Sequence, residues 1–463
     1  MEAARGELAA GMDVDKLTYE IFSILESKFL FGYDDPKLFS AGGSPQPQGA
    51  AAASGKATPV RATGFPQAAG KVCILSIDGG GRAADGLLAG AALVRLEASL
   101  RRRTGDQGAR LADFFDVAAG SGAGGVLAAM LVARGADGRP LFSAEDALAF
   151  LLRSLRRGWS AGGGGSGGGL RALFRRPGAA FRKLFGDLTL RDTVRPVLVP
   201  CYDLATAGPF LFSRADAVET PAYDFRLRDV CAATCAGSDG STSAVEVRSS
   251  DGSTRIAAVG GGVALGNPTA AAITHVLNNK REFPLASGVE DLLVISIGSG
   301  EAEHRPAGGG ASTSEIVRIA AEGVADMVDQ AVAMAFGHNR TSNYIRIQAT
   351  GSPRASRGAA KGGCVSGGGE AGRSAAEEML SQKNVESVLF RGKKLAEQTN
   401  AEKLERFAHE LVKERDRRRS SPLTPAVVKQ QPSAHAAGGG APPPPATAAS
   451  YSSLVSHMLT SIM

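Results

Sequence analysis

A glycine-rich segment after an apolar strand is the first place where chemistry is expected in this 463-residue chain. Residues 114–118 are typical of a buried strand, and Ala119-Gly120-Ser121-Gly122-Ala123-Gly124 then leads into a helix rich in alanine and leucine. In hydrolases, a G-x-S-x-G segment at such a junction forms a nucleophile elbow, a sharp turn that exposes its serine. Here the serine position is occupied by Gly122, which has no side chain. Ser121 is adjacent, but an elbow exposes one residue only, so we expect its side chain to point elsewhere.

Two further glycine segments occupy equivalent positions along the chain. Asp78-Gly79-Gly80-Gly81-Arg82 follows the apolar residues 72–77, and Gly260-Gly261-Gly262 follows residues 256–259. Bare backbone N–H groups between a strand and a helix can bind a phosphate or stabilise a developing oxyanion. The spacing matches neither a P-loop nor a dinucleotide-binding fingerprint. A tight turn without a ligand is the alternative.

Strands followed by loops and helices, repeated along the chain, predict an α/β fold with a parallel sheet. Apolar runs of strand length lie at 72–77, 114–118, 194–199, 210–212, 256–259 and 291–297, and helices are predicted over 87–96, 126–133, 144–157, 268–277 and 314–336. Ligands bind in open α/β folds at the edge where the carboxyl ends of the strands meet. We therefore expect the three glycine segments to lie together at that edge.

Composition divides the chain into parts. We predict an N-terminal amphipathic helix within 1–35, a flexible linker over 36–69, the main domain over 70–350, a glycine-rich loop over 351–374, a C-terminal helical segment over 375–419 and a disordered tail over 420–463. The linkers are rich in Gly, Ala, Ser and Pro, so they cannot bury enough apolar surface to offset their ordering entropy. What remains is long enough for one large core.

Charge and cysteine content argue against several classes of protein. The formal net charge of +6 is too small to indicate a partner, and the five cysteines show no paired C-x-x-C spacing. A disulfide scaffold or a metal site is therefore not expected, and no cofactor is implied. The N-terminus lacks the features of a signal peptide, and no apolar run is long enough for a transmembrane helix. We expect a cytoplasmic protein with peripheral contact at the plasma membrane.

A basic insertion at 158–183 interrupts the main domain. Arg171, Arg175 and Arg176 alternate with Phe174 and other apolar residues, among them Phe181 and Phe185. Cations interleaved with aromatic and leucine side chains are typical of contact with an anionic membrane surface. The alternative is a solvated, flexible insertion. A nucleic-acid partner is not expected, because no recognised binding module accompanies the charge.

Four ordered motifs resemble those of the patatin family of lipid acyl hydrolases. They are Leu75-Ser76-Ile77-Asp78-Gly79-Gly80-Gly81, Phe115-Asp116-Val117-Ala118-Ala119-Gly120, Val259 to Thr269, and Ile295-Ser296-Ile297-Gly298-Ser299-Gly300. The predicted leading helix and the segment from Val385 to Gly392 are similar to the plant class III subgroup in particular. The resemblance implies a patatin-like three-layer α/β/α sandwich with a mostly parallel central sheet.

The resemblance also implies a serine–aspartate dyad and a backbone oxyanion hole. The family's glycine loop falls on Gly79, Gly80 and Gly81, followed by Arg82. The nucleophile position falls on Gly122 and the dyad aspartate position on Gly260, so both reactive side chains are absent. These departures are typical of the class III subgroup, and lipolytic acyl hydrolysis has been ascribed to members of it.

Two functions remain open at this point. One is a lipolytic acyl hydrolase of membrane glycerolipids, either phospholipids or galactolipids. Such an enzyme would be a carboxylic ester hydrolase with a non-standard mechanism. Its ester carbonyl would lie on the glycine-loop amides, with attack by water or by an unidentified group. The other is a catalytically inactive patatin-fold protein that binds lipid or regulates other proteins. Membrane lipids are the expected partner in both cases.

Three further residues are weaker candidates for the chemistry. Asp78 and Asp116 lie at predicted strand ends and could orient loops or activate a water, with a role in capping or turn formation as the alternative. His275 lies in the helix after the third glycine segment and could act as a general base, with a packing or surface role as the alternative.

Overall fold

Apolar strands buried on both faces build the central sheet of the protein. The computed structural model describes residues 70–157, 177–236, 244–300, 313–350, 368–388, 392–421 and 427–428. The strands are β1 (Val72–Ile77), β2 (Val117–Gly120), β3 (Val197–Asp203), β4 (Gly208–Ser213), β5 (Val245–Arg248), β6 (Arg255–Val259), β7 (Leu292–Ile297), β8 (Tyr344–Ile347), β9 (Lys383–Val388) and β10 (Gly392–Thr399).

The helices, numbered in the same way, alternate with the strands along most of the chain. They are α1 (Leu87–Thr104), α2 (Ala123–Val132), α3 (Ala144–Arg157), α4 (Pro177–Phe185), α5 (Arg214–Glu219), α6 (Leu227–Thr234), α7 (Gly261–Ala264), α8 (Thr269–Asn278), α9 (Thr313–Phe336), α10 (Arg340–Asn343), α11 (Gly368–Ser381) and α12 (Asn400–Ser420). The helix and linker predicted over 1–35 and 36–69, and nearly all of the tail predicted over 420–463, lie outside the described residues.

The sheet has the order β5-β6-β3-β2-β1-β7-β8, with β4 paired to β3. Strands β3, β2, β1, β7 and β8 run parallel, whereas β4, β5 and β6 form antiparallel pairs. Every residue of β1 and β7 is buried, as expected for parallel strands that are covered on both faces. The predicted α/β fold with a mostly parallel sheet is confirmed.

Helices cover both faces of the sheet. Leu75 and Ile77 belong to a core shared with α1, α2, α3 and α12. Val72 and Ile74, whose side chains alternate to the opposite face, belong to a second core shared with α8 and α9. This arrangement confirms the predicted three-layer α/β/α sandwich.

The C-terminal part of the described chain differs from the prediction. Helix α11 begins at Gly368, inside the loop predicted over 351–374, and β9 and β10 pair as an antiparallel hairpin inside the segment predicted to be helical. The hairpin strands are polar and only partly buried. Strands of this kind are stabilised by cross-strand pairing and tertiary context rather than by a hydrophobic period, so the sequence pattern does not indicate them.

Helix α12 is part of the main domain, and it accounts for Asp116. The Phe407 ring stacks on Phe115 at 6.4 Å between centroids, and the Arg418 guanidinium donates to the buried Asp116 carboxylate at 2.7 and 3.1 Å. The Cys73 amide donates to the same carboxylate at 2.8 Å. Asp116 precedes β2 and therefore lies at the edge of the sheet opposite the elbow. The hypothesis that it activates a water at the site is wrong, because it ties α12 to the sheet.

The basic insertion is described only at its end. Residues 158–176, with Arg171, Phe174, Arg175 and Arg176, lie outside the described residues, so membrane contact there stays a prediction. Phe181 and Phe185 on α4 are buried, near Phe150 and Phe142 respectively. These two rings belong to the core, so they are not available to anchor the insertion in a membrane. Among the described helices, none is long and apolar enough to cross a bilayer.

Candidate functional site

The turn between β2 and α2 has the geometry of a nucleophile elbow. Gly122 sits between them with φ 55° and ψ −124°, a conformation in which an L side chain is strained. Its amide donates a hydrogen bond of 2.9 Å to the Thr234 hydroxyl at the end of α6. The elbow is therefore kept as a backbone feature, although the residue at its tip has no side chain.

The glycine loop after β1 packs directly against this elbow. The Ala123 amide donates to the Gly80 carbonyl at 2.8 Å. A Cβ atom added to Gly122 would lie only 2.2 Å from the Gly80 oxygen and 2.8 Å from the Gly79 oxygen. Main-chain atoms of the loop thus occupy the space that a serine side chain would need.

The backbone N–H groups of the glycine loop differ in their hydrogen bonding from the Gly80 carbonyl, which accepts from Ala123. Within the described residues, the N–H groups of Gly79, Gly80 and Gly81 make no hydrogen bond to the protein, while the Arg82 amide donates to the Asp85 carboxylate at 3.2 Å. The loop runs into a 3-10 turn, Ala83–Gly86, that continues as α1. Unpaired amides at a strand-to-helix junction can receive a carbonyl oxygen or an anion. The oxyanion-hole role of Gly79, Gly80, Gly81 and Arg82 stays a prediction.

The third glycine segment completes the junction. A Cβ atom on Gly262 would lie 3.0 Å from the Gly79 oxygen, and one on Gly261 would lie 2.6 Å from the Thr234 hydroxyl. One on Gly260, the dyad aspartate position, would lie 2.3 Å from the Ala236 carbonyl oxygen. The structure thus brings the three glycine segments together at the carboxyl edge of the sheet. Thr234 links two of them, and nothing in its sequence context indicated this.

Asp85 is a carboxylate beside the glycine loop that the sequence analysis did not single out. A Cβ atom on Gly80 would lie 2.3 Å from the Asp85 Oδ2 atom, and the Arg82 guanidinium lies 3.4 Å from the Oδ1 atom. Burial raises the pKa of Asp85, and the charge of Arg82 opposes that change. An acidic residue three positions after Arg82 is typical of a helix start, so the sequence pattern did not indicate that Asp85 lies beside Gly80.

Ser121 and Asp78 are buried at the same edge. The Ser121 hydroxyl has no hydrogen-bond partner among the described residues and no exposed surface, so it is not accessible as a nucleophile. The Asp78 carboxylate accepts a 2.6 Å hydrogen bond from Arg346 on β8. Burial raises the pKa of Asp78 to about 6, although Arg346 opposes the increase. Asp78 is therefore the buried partner of an ion pair.

A row of polar side chains supports the junction from beneath. Ser76, Ser296 and Arg346 lie in register on β1, β7 and β8, and Arg346 donates to the Ser296 hydroxyl at 2.7 Å. The Thr269 hydroxyl lies 2.8 and 2.9 Å from the hydroxyls of Ser76 and Ser296. Asn267 donates to the Ala325 carbonyl at 3.2 Å. This network joins α8 and α9 to the sheet below the glycine segments.

His275 lies in the core rather than at the junction. Its ring packs edge-on against Phe283 at 6.4 Å, and its Nε2 atom has no partner among the described residues. Burial lowers the pKa of His275 to about 4. The proposed role as a general base at the elbow is wrong, because the neutral ring fills the apolar face of α8.

The buried His275 makes the free energy of unfolding depend on pH. Its folded pKa of about 4 is below its ordinary value of 6.5, so its contribution is present above pH 6.5 and is lost as the pH falls through about 4. We expect a loss of about 3 kcal/mol from this residue over that interval. Urea unfolding at pH 7, 5.5 and 4 should show this loss in the natural chain and not in His275→Gln. Equal pH slopes in both would contradict the assignment.

Comparison with known proteins connects this geometry to a family. Residues 75–273 match the family model for Patatin-like phospholipase. The chain is 63% identical over 418 residues to Patatin-like protein 3 of Oryza sativa subsp. indica, an alignment that covers 89% of this chain and 94% of that protein. The chain belongs to the patatin-like family.

Other patatin-like relatives come from Arabidopsis thaliana. Patatin-like protein 7 is 49% identical over 444 residues, covering 90% of this chain and 85% of that protein. The relative named Probable inactive patatin-like protein 9 is 39% identical over 421 residues, covering 87% and 93%. The resemblance predicted from the four motifs is confirmed. Membership of the patatin-like phospholipase family supports a lipid acyl hydrolase type of function in general terms.

Proposed function

We propose that this patatin-like protein hydrolyses the acyl esters of membrane glycerolipids, which include phospholipids and galactolipids. The attacking group is water instead of a serine. The observation that carries the proposal is the run of three amides, Gly79 to Gly81, without an acceptor in the described part of the protein. An ester carbonyl oxygen held by these amides would be stabilised as negative charge develops on it.

Asp85 is the carboxylate that could activate the water. It lies beside Gly80, and burial raises its pKa, which makes a carboxylate a stronger base than one in water. Asp85 would take a proton from water while the water oxygen bonds to the ester carbon. The tetrahedral oxyanion would then collapse, the C–O bond to the alcohol would break, and the alcohol oxygen would take the proton back from Asp85.

The expected acceleration over the uncatalysed reaction is modest, because the serine nucleophile is absent and the Ala123 amide already donates to the Gly80 carbonyl. A hydrolase that has lost its nucleophile typically keeps only ~10³–10⁴-fold acceleration over water, from its oxyanion hole and substrate binding. A general base typically adds ~10²–10⁴-fold. The Ala123 amide, which follows the elbow position, is engaged by Gly80 and would not contribute.

The close packing of the glycine loop against the elbow favours the second candidate function, which is lipid binding without turnover. A site whose nucleophile space is filled by Gly80 and Gly79 oxygens can retain a lipid-binding junction while it lacks covalent chemistry. The 39%-identical relative that is named as inactive is consistent with this alternative.

Replacing Asp85 by asparagine separates the two functions. We expect Asp85→Asn to lower fatty-acid release from phosphatidylcholine and from galactolipid by about 10²-fold, because the amide keeps an oxygen to accept from Arg82 but cannot take a proton. The natural chain should also lose activity as the pH falls through the raised pKa of Asp85, and the variant should lack this acid limb. The measurement is fatty-acid release by the full chain as a function of pH.

Asp113→Asn is the matched control. Asp113 accepts the Arg110 amide at 2.8 Å at the end of another 3-10 turn, Leu111–Asp113, so it has the capping role of Asp85 without the glycine loop. Release by Asp113→Asn should equal that of the natural chain. No release by the natural chain, together with saturable lipid binding, would support the second candidate function instead.

A further inference from the structure

Two buried polar atoms at the base of the glycine loop have no hydrogen-bond partner in the part of the chain that the structure describes. They are the Oδ1 atom of Asp78 and the hydroxyl of Ser121. Asp78 is 4% exposed and Ser121 is 0% exposed. Burying a polar atom without a hydrogen bond is costly, and buried polar atoms that no protein group reaches are usually satisfied by ordered water.

The sheet places these two side chains next to each other on the same face. Ile74 of β1 belongs to the core shared with α8 and α9, so alternation along the strand directs Asp78 to that face. Ala119 of β2 belongs to the same core, so Ser121 is directed to the same face. The Ser121 amide donates to the Ile77 carbonyl at 3.1 Å, which continues the parallel pairing of β1 and β2 by one residue. Asp78 and Ser121 are therefore direct neighbours on adjacent strands, which lie about 4.8 Å apart.

Arg346 satisfies only one of the two Asp78 carboxylate oxygens. Its guanidinium donates to the Oδ2 atom at 2.6 Å, whereas the Oδ1 atom receives no hydrogen bond from the described residues. The adjacent residues Gly79 and Gly122 have no side chain that could donate to it. A hydroxyl without an acceptor thus lies beside a carboxylate oxygen without a donor, and no hydrogen bond joins the two.

We infer that one buried water molecule bridges the Ser121 hydroxyl and the Asp78 Oδ1 atom, and that Ser121 is thereby a positioning residue for the glycine loop. The water accepts from the hydroxyl and donates to the carboxylate, and buried waters typically make two to four such bonds. A divalent cation does not suit this place, because Ca²⁺ takes ~6–8 oxygen ligands. Among the described residues, no group of three or more His, Cys, Asp or Glu side chains could hold a metal ion.

The bridge holds the glycine loop where it begins. Asp78 directly precedes Gly79, whose amide is the first of the three that receive the ester oxygen in the proposed reaction. The Ala123 amide holds the Gly80 carbonyl at 2.8 Å, so the loop is attached to the elbow at two points, one direct and one through water. Donors that stabilise a developing charge must be in place before the reaction. The water site does not depend on the proposed function, whereas its effect on turnover rests on that function.

A high-resolution crystal structure of the full chain tests the water site directly. We expect one solvent peak within hydrogen-bond distance of both the Ser121 hydroxyl and the Asp78 Oδ1 atom. The inference is overturned if the Ser121 hydroxyl donates directly to a protein group, or if the peak is a cation surrounded by oxygen ligands.

The positioning role is tested with Ser121→Ala, and Thr193→Val is the matched control. Thr193 is also fully buried, and its hydroxyl donates to the Leu190 carbonyl at 2.9 Å. In Ser121→Ala we expect about tenfold lower protection of the Ala123 amide in hydrogen exchange. We also expect about tenfold lower kcat for a water-soluble short-chain ester at unchanged KM, because the loop amides act on charge that develops in the transition state. Thr193→Val should keep the natural protection and kcat.

Two results with Ser121→Ala would overturn the positioning role. One is an Ala123 protection equal to that of the natural chain, and the other is a raised KM at unchanged kcat. The proposed function fails separately, if the natural chain hydrolyses neither the short-chain ester nor phosphatidylcholine. In that case the crystal structure still decides the water site, and hydrogen exchange still decides whether Ser121 holds the loop against the elbow.

Discussion

The double variant Gly122→Ser/Gly260→Asp is expected to recover no serine hydrolase activity and to be less stable than the natural chain. The new Cβ atoms would lie 2.2 Å from the Gly80 oxygen and 2.3 Å from the Ala236 oxygen. Both obstacles are main-chain atoms, which cannot rotate aside as a flexible side chain would. Overpacking of this kind typically costs ~1–3 kcal/mol per site, and the positive φ of Gly122 adds ~1–2 kcal/mol. We expect a total loss of about 4 kcal/mol, measured by urea unfolding.

Gly105→Ser isolates the backbone part of this effect. Gly105 has φ 69°, and a Cβ atom there would meet nothing within 4 Å. Its cost should therefore be that of a positive φ alone, and the excess for Gly122→Ser measures the closeness of the glycine loop. Labelling by a fluorophosphonate probe gives the chemical readout. A labelled double variant of natural stability would show that the loop moves aside at little cost, contrary to the geometry described above.

Removal of Arg346 is expected to have an effect of similar size. Arg346→Met would leave the Asp78 carboxylate buried without its 2.6 Å partner. Loss of one member of a buried ion pair typically costs ~3–5 kcal/mol, because the remaining charge is uncompensated. The double variant Asp78→Asn/Arg346→Met removes both charges and should be more stable than Arg346→Met alone. Arg419→Met, on the exposed end of α12, is the control and should change stability little.

The pH dependence of Arg346→Met provides an independent test. In the natural chain, burial raises the pKa of Asp78 to about 6 and Arg346 opposes the increase. Without Arg346 the pKa of Asp78 rises further, so the folded variant takes up a proton more readily than the unfolded chain does. Its deficit in stability relative to the natural chain should therefore be largest well above pH 6, where Asp78 is ionised in both folded proteins, and should shrink as the pH falls towards about 6. A deficit that is constant between pH 8 and 5 would exclude an uncompensated charge as its cause.

Local sequence determined the framework of the site. The six-residue apolar runs of β1 and β7 predict parallel strands that are covered on both faces, and both are buried throughout. Glycine segments after such strands predict turns at one edge, because the direction of each strand fixes where its carboxyl end lies. The glycines at positions 122 and 260 were likewise visible without a structure, since the absence of a side chain is a property of the residue itself.

Short and polar strands were beyond the reach of the sequence. Strands β5 and β8 are four residues each, and the β9–β10 hairpin is polar. Their pairing depends on neighbours that the chain brings together from far away, such as Tyr344 beside Val294. A period of two cannot be recognised in segments that are so short or so evenly polar.

Only the tertiary structure decided what surrounds the elbow. The sequence showed that Gly122 lacks a nucleophile, but the packing of β1 against β2 placed the Gly80 carbonyl where that side chain would be. Chain folding also paired Asp116 with Arg418, and Asp78 with Arg346, across 302 and 268 positions. The reason is physical: residue types and their local spacing are written in the sequence, whereas the distance between two main-chain atoms is set by how whole strands and helices pack. The sequence argues against serine catalysis because Gly122 has no side chain. Restoring a serine at this position is opposed by the Gly80 oxygen, which only the fold places beside Gly122.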